Sequence, residues 1–117
     1  RIIMNLETIA KTLQLRIHTG GERLGVEVRG GYVGDLLSDV MANSREGELW
    51  ITRQTHQNVV AVASLKELAG VILVKGAEPA ADTLEKAARE NIPLFTTELS
   101  AFETAGRVHR MIFPREE

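Results

Sequence analysis

The sequence predicts an α/β fold with three layers, in which helices cover both faces of a mostly parallel sheet of about five strands. From Gly47 onward, short apolar strand patterns alternate with helix patterns of about 10 residues, which is typical of right-handed strand–helix–strand crossovers. The chain has 117 residues, the length of one ordinary domain. Its 44% hydrophobic and 26% charged residues are enough for a folded core. We therefore expect a single domain over residues 1–117.

The first quarter of the chain predicts one helix and two short strands. Asn5 is the expected N-cap of the helix. The apolar face of this helix repeats at helical spacing through Leu6, Ile9, Ala10 and Leu13. Alternating apolar residues predict strands at residues 15–17 and 26–28, and Gly30-Gly31 is expected to end the second strand in a tight turn. Because the connection between these strands is short, an antiparallel pair and hence a mixed sheet are possible outcomes.

The middle of the chain predicts two helices on either side of a buried strand. Residues 35–41 form the first of these helices. Its apolar face consists of Leu36, Leu37, Val40 and Met41. A strand at residues 49–51 is followed by a polar loop at residues 52–58. The helix at residues 59–68 is apolar on most sides, which indicates contact with the sheet and with a second surface.

The last third of the chain predicts two more strand–helix units. Residues 71–74 form the most apolar strand, and Pro79 fits the first turn of the helix that follows. The residues expected to face inward from that helix are Ala80, Leu84, Ala87 and Ala88. A strand at residues 93–95 precedes Ser100 and Glu103, which have the spacing of a capping box at the start of the last helix.

Composition excludes several classes of function. The formal net charge of −2 argues against a module that binds duplex nucleic acid, because such modules carry a basic excess. The absence of cysteine removes disulfides, thiolate metal sites and cysteine nucleophiles, and fits a cytoplasmic protein. Neither a membrane span of roughly 18 apolar residues nor a signal peptide is expected. The chain begins with Arg1 and has Met4 close behind, which leaves open whether it is a fragment of a longer protein.

Polar loops follow the predicted strands at the edge where open parallel sheets bind ligands. These loops are the segments 30–32, 52–58, 75–76 and 96–98. Backbone N–H groups where the second loop opens a helix can hold an anion, and Lys75 would add a positive charge. The candidate ligand-binding residues are Gly31, Tyr32, Asp35, Thr52, Thr55, His56, Asn58, Lys75 and Gly76. Helix capping and turn formation require the same residue types, so both interpretations stay open.

Motifs for phosphate binding, metal binding and catalysis do not match. The glycines at residues 20–25 and 30–34 lack the spacing and the lysine of a nucleotide-binding phosphate loop. His18, His56 and His109 have no partner at metal-ligand spacing, so neither a metal nor a cofactor is predicted. Asp35 and Asp39 lie four residues apart on one predicted helix, and such a pair is either an acid–base pair or a solvated face.

Four segments, at residues 30–41, 47–63, 69–79 and 92–105, together resemble the DRTGG domain family. The resemblance implies a three-layer α/β/α domain with a regulatory role, similar to the N-terminal domain of HPr kinase/phosphorylase and found beside CBS domains. It does not imply kinase activity, because the kinase chemistry of that enzyme belongs to another domain. This chain has Gln54-Thr55-His56 where the family has Gly-Asp-Arg, and Val74-Lys75-Gly76 where the family often has Thr-Gly-Gly.

The leading functional prediction is a non-catalytic regulatory domain that senses a ligand or binds a protein. A homodimer is expected because the helix at residues 59–68 and the apolar face at residues 36–41 offer large apolar surfaces. The ligand would be small and anionic, or a nucleotide, and partner proteins or fused domains are further candidates. Two alternatives remain open. One is an enzyme for small phosphorylated or carboxylated substrates with His56 as acid–base, and the other is a ligand-free scaffold.

Overall fold

The structure, a computed structural model, describes residues 3–115 and contains a five-stranded mixed sheet between two layers of helices. Arg1, Ile2, Glu116 and Glu117 belong to the predicted domain but lie outside the described residues. The sheet has the strand order β1-β5-β4-β3-β2. In chain order the elements are α1 (Leu6–Leu13), β1 (Arg16–Thr19), β2 (Gly30–Val33), α2 (Leu37–Asn43), β3 (Glu48–Thr52), α3 (Asn58–Leu65), β4 (Gly70–Leu73), α4 (Ala81–Arg89), β5 (Leu94–Thr96) and α5 (Ala101–Ile112).

Apolar side chains on the two faces of the sheet form two separate cores. On one face, α1 and α5 pack against the sheet through residues such as Ile9 and Val108. On the other face, α2, α3 and α4 pack through residues such as Val40, Val59 and Ala87. The predicted three-layer α/β/α fold is therefore confirmed.

Two side-chain caps fix the ends of the outer helices as the sequence predicts. The Asn5 side chain accepts a hydrogen bond from the Thr8 N–H at 2.9 Å, which starts α1. Ser100 accepts one from the Glu103 N–H at 3.2 Å, which starts α5. Each cap satisfies a backbone donor that has no partner inside the helix. Both helices therefore begin at the residues that the sequence indicates.

The prediction of the second strand is wrong. Residues 26–28 form only an isolated bridge, in which Glu27 lies opposite Asn5, and the strand itself is Gly30–Val33. Gly30 and Gly31 therefore lie inside β2 and do not form a turn. The apolar alternation at residues 26–28 has another origin, because Val28 is buried and its N–H donates to the Met4 carbonyl at 2.8 Å.

The sheet is mixed, but its antiparallel pair is not the predicted one. β1 pairs with β5 in antiparallel orientation, and Ile17 lies opposite Phe95. β2 pairs with β3 in parallel orientation, and Gly31 lies opposite Leu49. The two strands that are neighbours in sequence thus occupy opposite edges of the sheet.

Several predicted helix faces and limits also need correction. Leu36 precedes α2 and is 67% exposed, so it does not face the core. Ala80 and Ala88 are exposed, and α4 begins at Ala81, so that Pro79 lies before its first turn. α3 ends at Leu65 and not at residue 68, because Glu67 adopts the left-handed region at φ 54°.

Candidate functional site

The carboxyl ends of β2, β3, β4 and β5 lie at one edge of the sheet because these four strands are parallel. β1 runs in the opposite direction, so its first residue, Arg16, lies at this same edge opposite Thr96. The edge therefore collects four loops and the start of a fifth strand. This is the location at which open α/β sheets bind ligands.

Asp35 joins the loops that follow β2 and β3. Its Oδ1 accepts hydrogen bonds from the Thr52 hydroxyl at 2.7 Å and from the Arg53 N–H at 2.8 Å. The Gln54 side chain donates to the Asp35 carbonyl at 2.7 Å. The Arg53 N–H, followed by the Thr52 hydroxyl, lowers the pKa of Asp35 below its usual value. Two of the predicted site residues are thus in direct contact, and Asp35 is ionised at neutral pH.

The loop before α3 is held by its own helix start. The Asn58 N–H donates to His56 Nδ1 at 3.1 Å, and the Val59 N–H donates to the His56 carbonyl at 3.0 Å. The Thr55 carbonyl accepts from the Ala80 N–H at 3.2 Å and from the Thr83 hydroxyl at 2.7 Å. Two of the amides at this helix start, those of Asn58 and Val59, are therefore already hydrogen-bonded to His56. The loop is also fixed to the start of α4.

Lys75 and Gly76 form a left-handed turn that ties the end of β4 to the end of β5. Their φ values are 57° and 70°. The Lys75 N–H donates to the Leu99 carbonyl at 2.8 Å, and the Gly76 N–H donates to the Thr97 carbonyl at 3.0 Å. A Cβ atom at position 76 would lie 3.0 Å from Oε1 of Glu98. Glycine at this position therefore allows both the turn and the close approach of the Glu98 carboxylate.

Gly31 and Tyr32 are adjacent in β2 and so face opposite sides of the sheet. Gly31 lines a groove against α5, and Tyr32 packs beside the core under α2. The Tyr32 hydroxyl donates to the Asp39 carboxylate, which also accepts from the Asn43 amide at 2.8 Å. Asp35 and Asp39 thus have separate partners and do not form an acid–base pair. Among the nine predicted residues, Asp35 contacts Thr52, Asn58 contacts His56, Lys75 adjoins Gly76, and Gly31 and Tyr32 face opposite sides of β2.

A cavity of about 530 Å³ opens at the edge between α1, α5 and the end of β5. Two arginines and two glutamates line it, together with hydroxyl groups. The lining residues are Leu13, Gln14, Arg16, Glu78, Thr96, Thr97, Glu98, Leu99 and Arg107. Only the segment 96–98 of this set was recognisable from the sequence. Arg16 was missed because no local pattern indicates that β1 is antiparallel to β5, and Arg107 was missed because its spacing is that of a solvated helix face.

Arg107 lines this edge cavity, and His18 contacts the lining residue Thr96 without lining the cavity itself. Nη2 of Arg107 lies 2.6 Å from Oε2 of Glu103 in an ion pair that is about half exposed. Exposed pairs of this spacing contribute only about 0.3–0.5 kcal/mol, so an anionic ligand can compete for the guanidinium. Behind the cavity, Nε2 of His18 lies 2.9 Å from the Thr96 hydroxyl. Burial and the nearby Arg16 lower the pKa of His18, while Glu78 acts in the opposite direction.

Within residues 3–115, no group of three or more His, Asp or Glu side chains is arranged to hold a metal ion. Among the helices of this same range, none has the length and apolarity needed to cross a membrane.

Comparison with known protein families matches residues 8–111 to the DRTGG domain. This chain belongs to the DRTGG domain family. The resemblance to the DRTGG family that the sequence predicts is therefore confirmed. No curated protein matches the chain.

A similar solved structure contains the CBS and DRTGG domains of the regulatory region of Clostridium perfringens pyrophosphatase, complexed with its activator, diadenosine tetraphosphate. The two chains are 20% identical and superpose with a TM-score of 0.71. The match covers 87% of this DRTGG domain and 44% of that chain. At this identity the likeness supports the fold, and this chain spans less than half the length of its neighbour.

Proposed function

We propose that this DRTGG domain is a cytoplasmic regulatory module that forms a homodimer and senses a small anionic ligand, with a nucleotide as the first candidate. The observation that carries the proposal is the edge cavity with its two arginines. We place the ligand there and not on the loop at residues 52–58, where the N–H groups of Arg53, Gln54 and Asn58 already have acceptors.

The size and charge of the edge cavity suit a nucleotide. Its volume of about 530 Å³ lies within the range of roughly 300–1,000 Å³ that is typical of ligand sites. Arg16 and Arg107 can bind phosphate, for which the guanidinium group has matched geometry. Glu78 and Glu98 can accept hydrogen bonds from ribose hydroxyls or a base amino group. The similar pyrophosphatase regulatory region forms a complex with a dinucleotide activator, which supports the same class of ligand here.

A thermal-shift and calorimetry series with AMP, ADP, ATP, diadenosine tetraphosphate and inorganic phosphate tests this proposal. We expect one of the nucleotides to stabilise the domain, and Arg107→Ala to weaken its binding at least about tenfold through loss of a charge-assisted contact. Arg89→Ala is the matched control, because Arg89 is exposed at the end of α4 on the other face of the sheet.

Two further variants separate this site from the one predicted by sequence. His56→Ala and Lys75→Ala should leave the affinity unchanged if the ligand occupies the edge cavity. An affinity that falls in these variants and not in Arg107→Ala would place the ligand at the loop of residues 52–58. The absence of any response to these nucleotides and to phosphate would favour the ligand-free scaffold.

Self-association is supported by apolar side chains that remain exposed in one copy. Leu65 on α3 is 70% exposed and Leu36 is 67% exposed, and both belong to the segments expected to form an interface. Light scattering at micromolar concentration should give about twice the chain mass, as expected for a two-fold dimer. A monomer at all concentrations tested would refute this part of the proposal.

The proposed function does not include protein kinase activity. The resemblance to the N-terminal domain of HPr kinase/phosphorylase is kept as part of the proposal. Incubation of the purified domain with labelled ATP and acceptor proteins should give no phosphoryl transfer. Transfer that depends on this chain, and that His56→Ala abolishes, would instead support the enzyme alternative.

A further inference from the structure

We propose that two copies of this chain meet through β2, whose antiparallel pairing about a two-fold axis at Tyr32 joins their sheets into one. This inference rests on the self-association proposed above, but it places the contact at β2 and α5 and not at Leu65 on α3. The register pairs Gly31 of each copy with Val33 of the other, and it brings Arg29, just before β2, near Asp35, just after β2 of the other copy.

The outer edge of β2 has unpaired backbone groups. β2 is an edge strand of the sheet, and within residues 3–115 it pairs only with β3. The Gly34 N–H donates to the Ile51 carbonyl at 3.2 Å, and bonds in a parallel ladder alternate along the strand. The N–H and C=O groups of Gly31 and Val33 therefore point away from β3. Both residues are exposed, whereas Gly30 is buried.

Apart from its short length of four residues, β2 lacks the known devices that protect edge strands. Proline, lysine or a bulge usually prevents such strands from pairing with another chain. The strand Gly30-Gly31-Tyr32-Val33 contains no proline or lysine and has no bulge. The four residues keep a regular register with β3, from Gly30 opposite Glu48 to Val33 opposite Ile51. An open, regular edge is a template for a further strand, and a second copy supplies one of identical length.

An apolar groove lies beside this edge and would be covered by the second copy. Gly31, Val33 and Ile51 form its floor and α5 forms its wall, with a volume of about 330 Å³. Phe102 is 89% exposed, and Phe113 and Val33 are 53% and 51% exposed. A two-fold axis perpendicular to the sheet brings the two α5 helices side by side above the joined strands. The pairing would thus remove these side chains from water.

Charge complementarity favours a second copy over other strands. The register centred on Tyr32 brings Arg29, which precedes β2 in one copy, near Asp35, which follows β2 in the other. The hydrogen bonds to Asp35 from residues 52 and 53 reach Oδ1 only, so Oδ2 takes none within the described residues. Arg29 has a long contact of 3.9 Å with Glu27 and its side chain is 59% exposed. The two-fold axis produces this favourable contact twice.

Cysteine cross-linking provides a direct test because the chain contains no native cysteine. In the proposed register, Tyr32 lies directly opposite itself in a non-hydrogen-bonded pair with Cα atoms about 4.5 Å apart. Tyr32→Cys should therefore form a disulfide between copies under mild oxidation. Val33→Cys is the matched control, since it is more exposed but lies diagonal to itself at about 7–8 Å. We expect cross-linking at least tenfold faster at position 32.

Backbone variants test the hydrogen bonds without relying on the cysteine geometry. Gly31→Pro removes the N–H group that points away from β3 and that would bond to the second copy. The variant should raise the dimer dissociation constant more than tenfold, while circular dichroism shows that each copy stays folded. Gly31→Ala retains the N–H, and its Cβ would lie 3.5 Å from the Leu49 carbonyl, which is an ordinary contact. It should dimerise like the parent chain. Arg29→Glu should weaken the dimer several-fold, and less so at high salt.

The outcomes separate the surface from the proposed self-association. A chain that is monomeric at every concentration overturns both. A dimer that is unaffected by Gly31→Pro, or that cross-links as fast through position 33 as through position 32, leaves self-association standing and overturns the β2 surface. A chain that stays monomeric alone but binds an extended peptide at β2 would show that the edge accepts a partner's strand and not a second copy.

Discussion

Replacement of Asp35 by alanine should destabilise the domain by about 2 kcal/mol. The variant removes the acceptor of two hydrogen bonds, at 2.7 and 2.8 Å, whose acceptor oxygen is charged. Hydrogen bonds of this kind contribute about 1.5–3 kcal/mol each when shielded, and the exposure of Asp35 reduces that value. Thr52, however, is buried, so in the variant its hydroxyl would have neither an acceptor nor access to water. For 117 residues, about 2 kcal/mol corresponds to a fall of roughly 8 °C in Tm.

Urea and thermal denaturation against pH would measure this effect and its origin. The folded pKa of Asp35 is lowered, so its contribution is present above the unfolded pKa of about 3.9 and is lost as pH falls through the folded value. Asp35→Asn should lose this acid dependence while keeping a neutral acceptor. Asp82→Ala is the control, because Asp82 is exposed and forms no hydrogen bond or ion pair among residues 3–115. Equal Tm values for the two alanine variants, or an unchanged acid profile in Asp35→Asn, would refute the reasoning.

Three more variants test the local structure around the edge. Thr83→Val removes the buried hydroxyl that donates to the Thr55 carbonyl, and should cost about 1 kcal/mol in urea titrations and increase hydrogen exchange at residues 55–58. His18→Gln should flatten the profile of stability against pH below about pH 6.5. The pKa of His18 is lowered in the folded protein, so the unfolded chain takes up a proton first and the parent chain loses stability as the pH falls. Gly20→Ala should prevent folding or lower Tm sharply, since φ is +78° and its Cβ would lie 2.4 Å from Cα of Pro93. Gly21→Ala, whose Cβ meets no atom within 4 Å, should be tolerated in the same melts.

The fold was predictable from sequence because local and long-range signals agree over most of the chain. The capping residues Asn5 and Ser100 mark helix starts that the structure retains. The apolar strands around Trp50 and Ile72 are buried on both faces of the sheet, as their unbroken hydrophobic pattern indicates. Periodicity alone failed at β2, because Gly30 and Gly31 have the residue type of a turn and yet lie within a strand. Pairing with β3 decided their conformation, and sequence patterns contain no information about that pairing.

The predicted site was less accessible to sequence reasoning than the fold. Asp35 and Thr52 meet because neighbouring parallel strands end together, which the alternation of strands and helices already indicated. His56 and Asn58 also meet, but as partners in a helix cap, which is the simpler of the two interpretations left open. The edge cavity depends on the reversed direction of β1, which brings Arg16 to the edge. That reversal follows from tertiary packing and has no local sequence signature.

α5 connects the two proposed surfaces of this DRTGG domain. Arg107 lines the edge cavity, while Phe102 and His109 on the same helix line the groove beside β2. The helix has 12 residues and is capped by Ser100, so it can transmit a shift at one surface to the other as a rigid element. Thermodynamic linkage then connects ligand binding with dimerisation. A ligand that changes the dimer dissociation constant must bind the dimer and the monomer with different affinities. Calorimetry on the parent chain and on Gly31→Pro would measure both sides of this relation. Equal affinities in the two would show that the edge cavity and the β2 surface act independently.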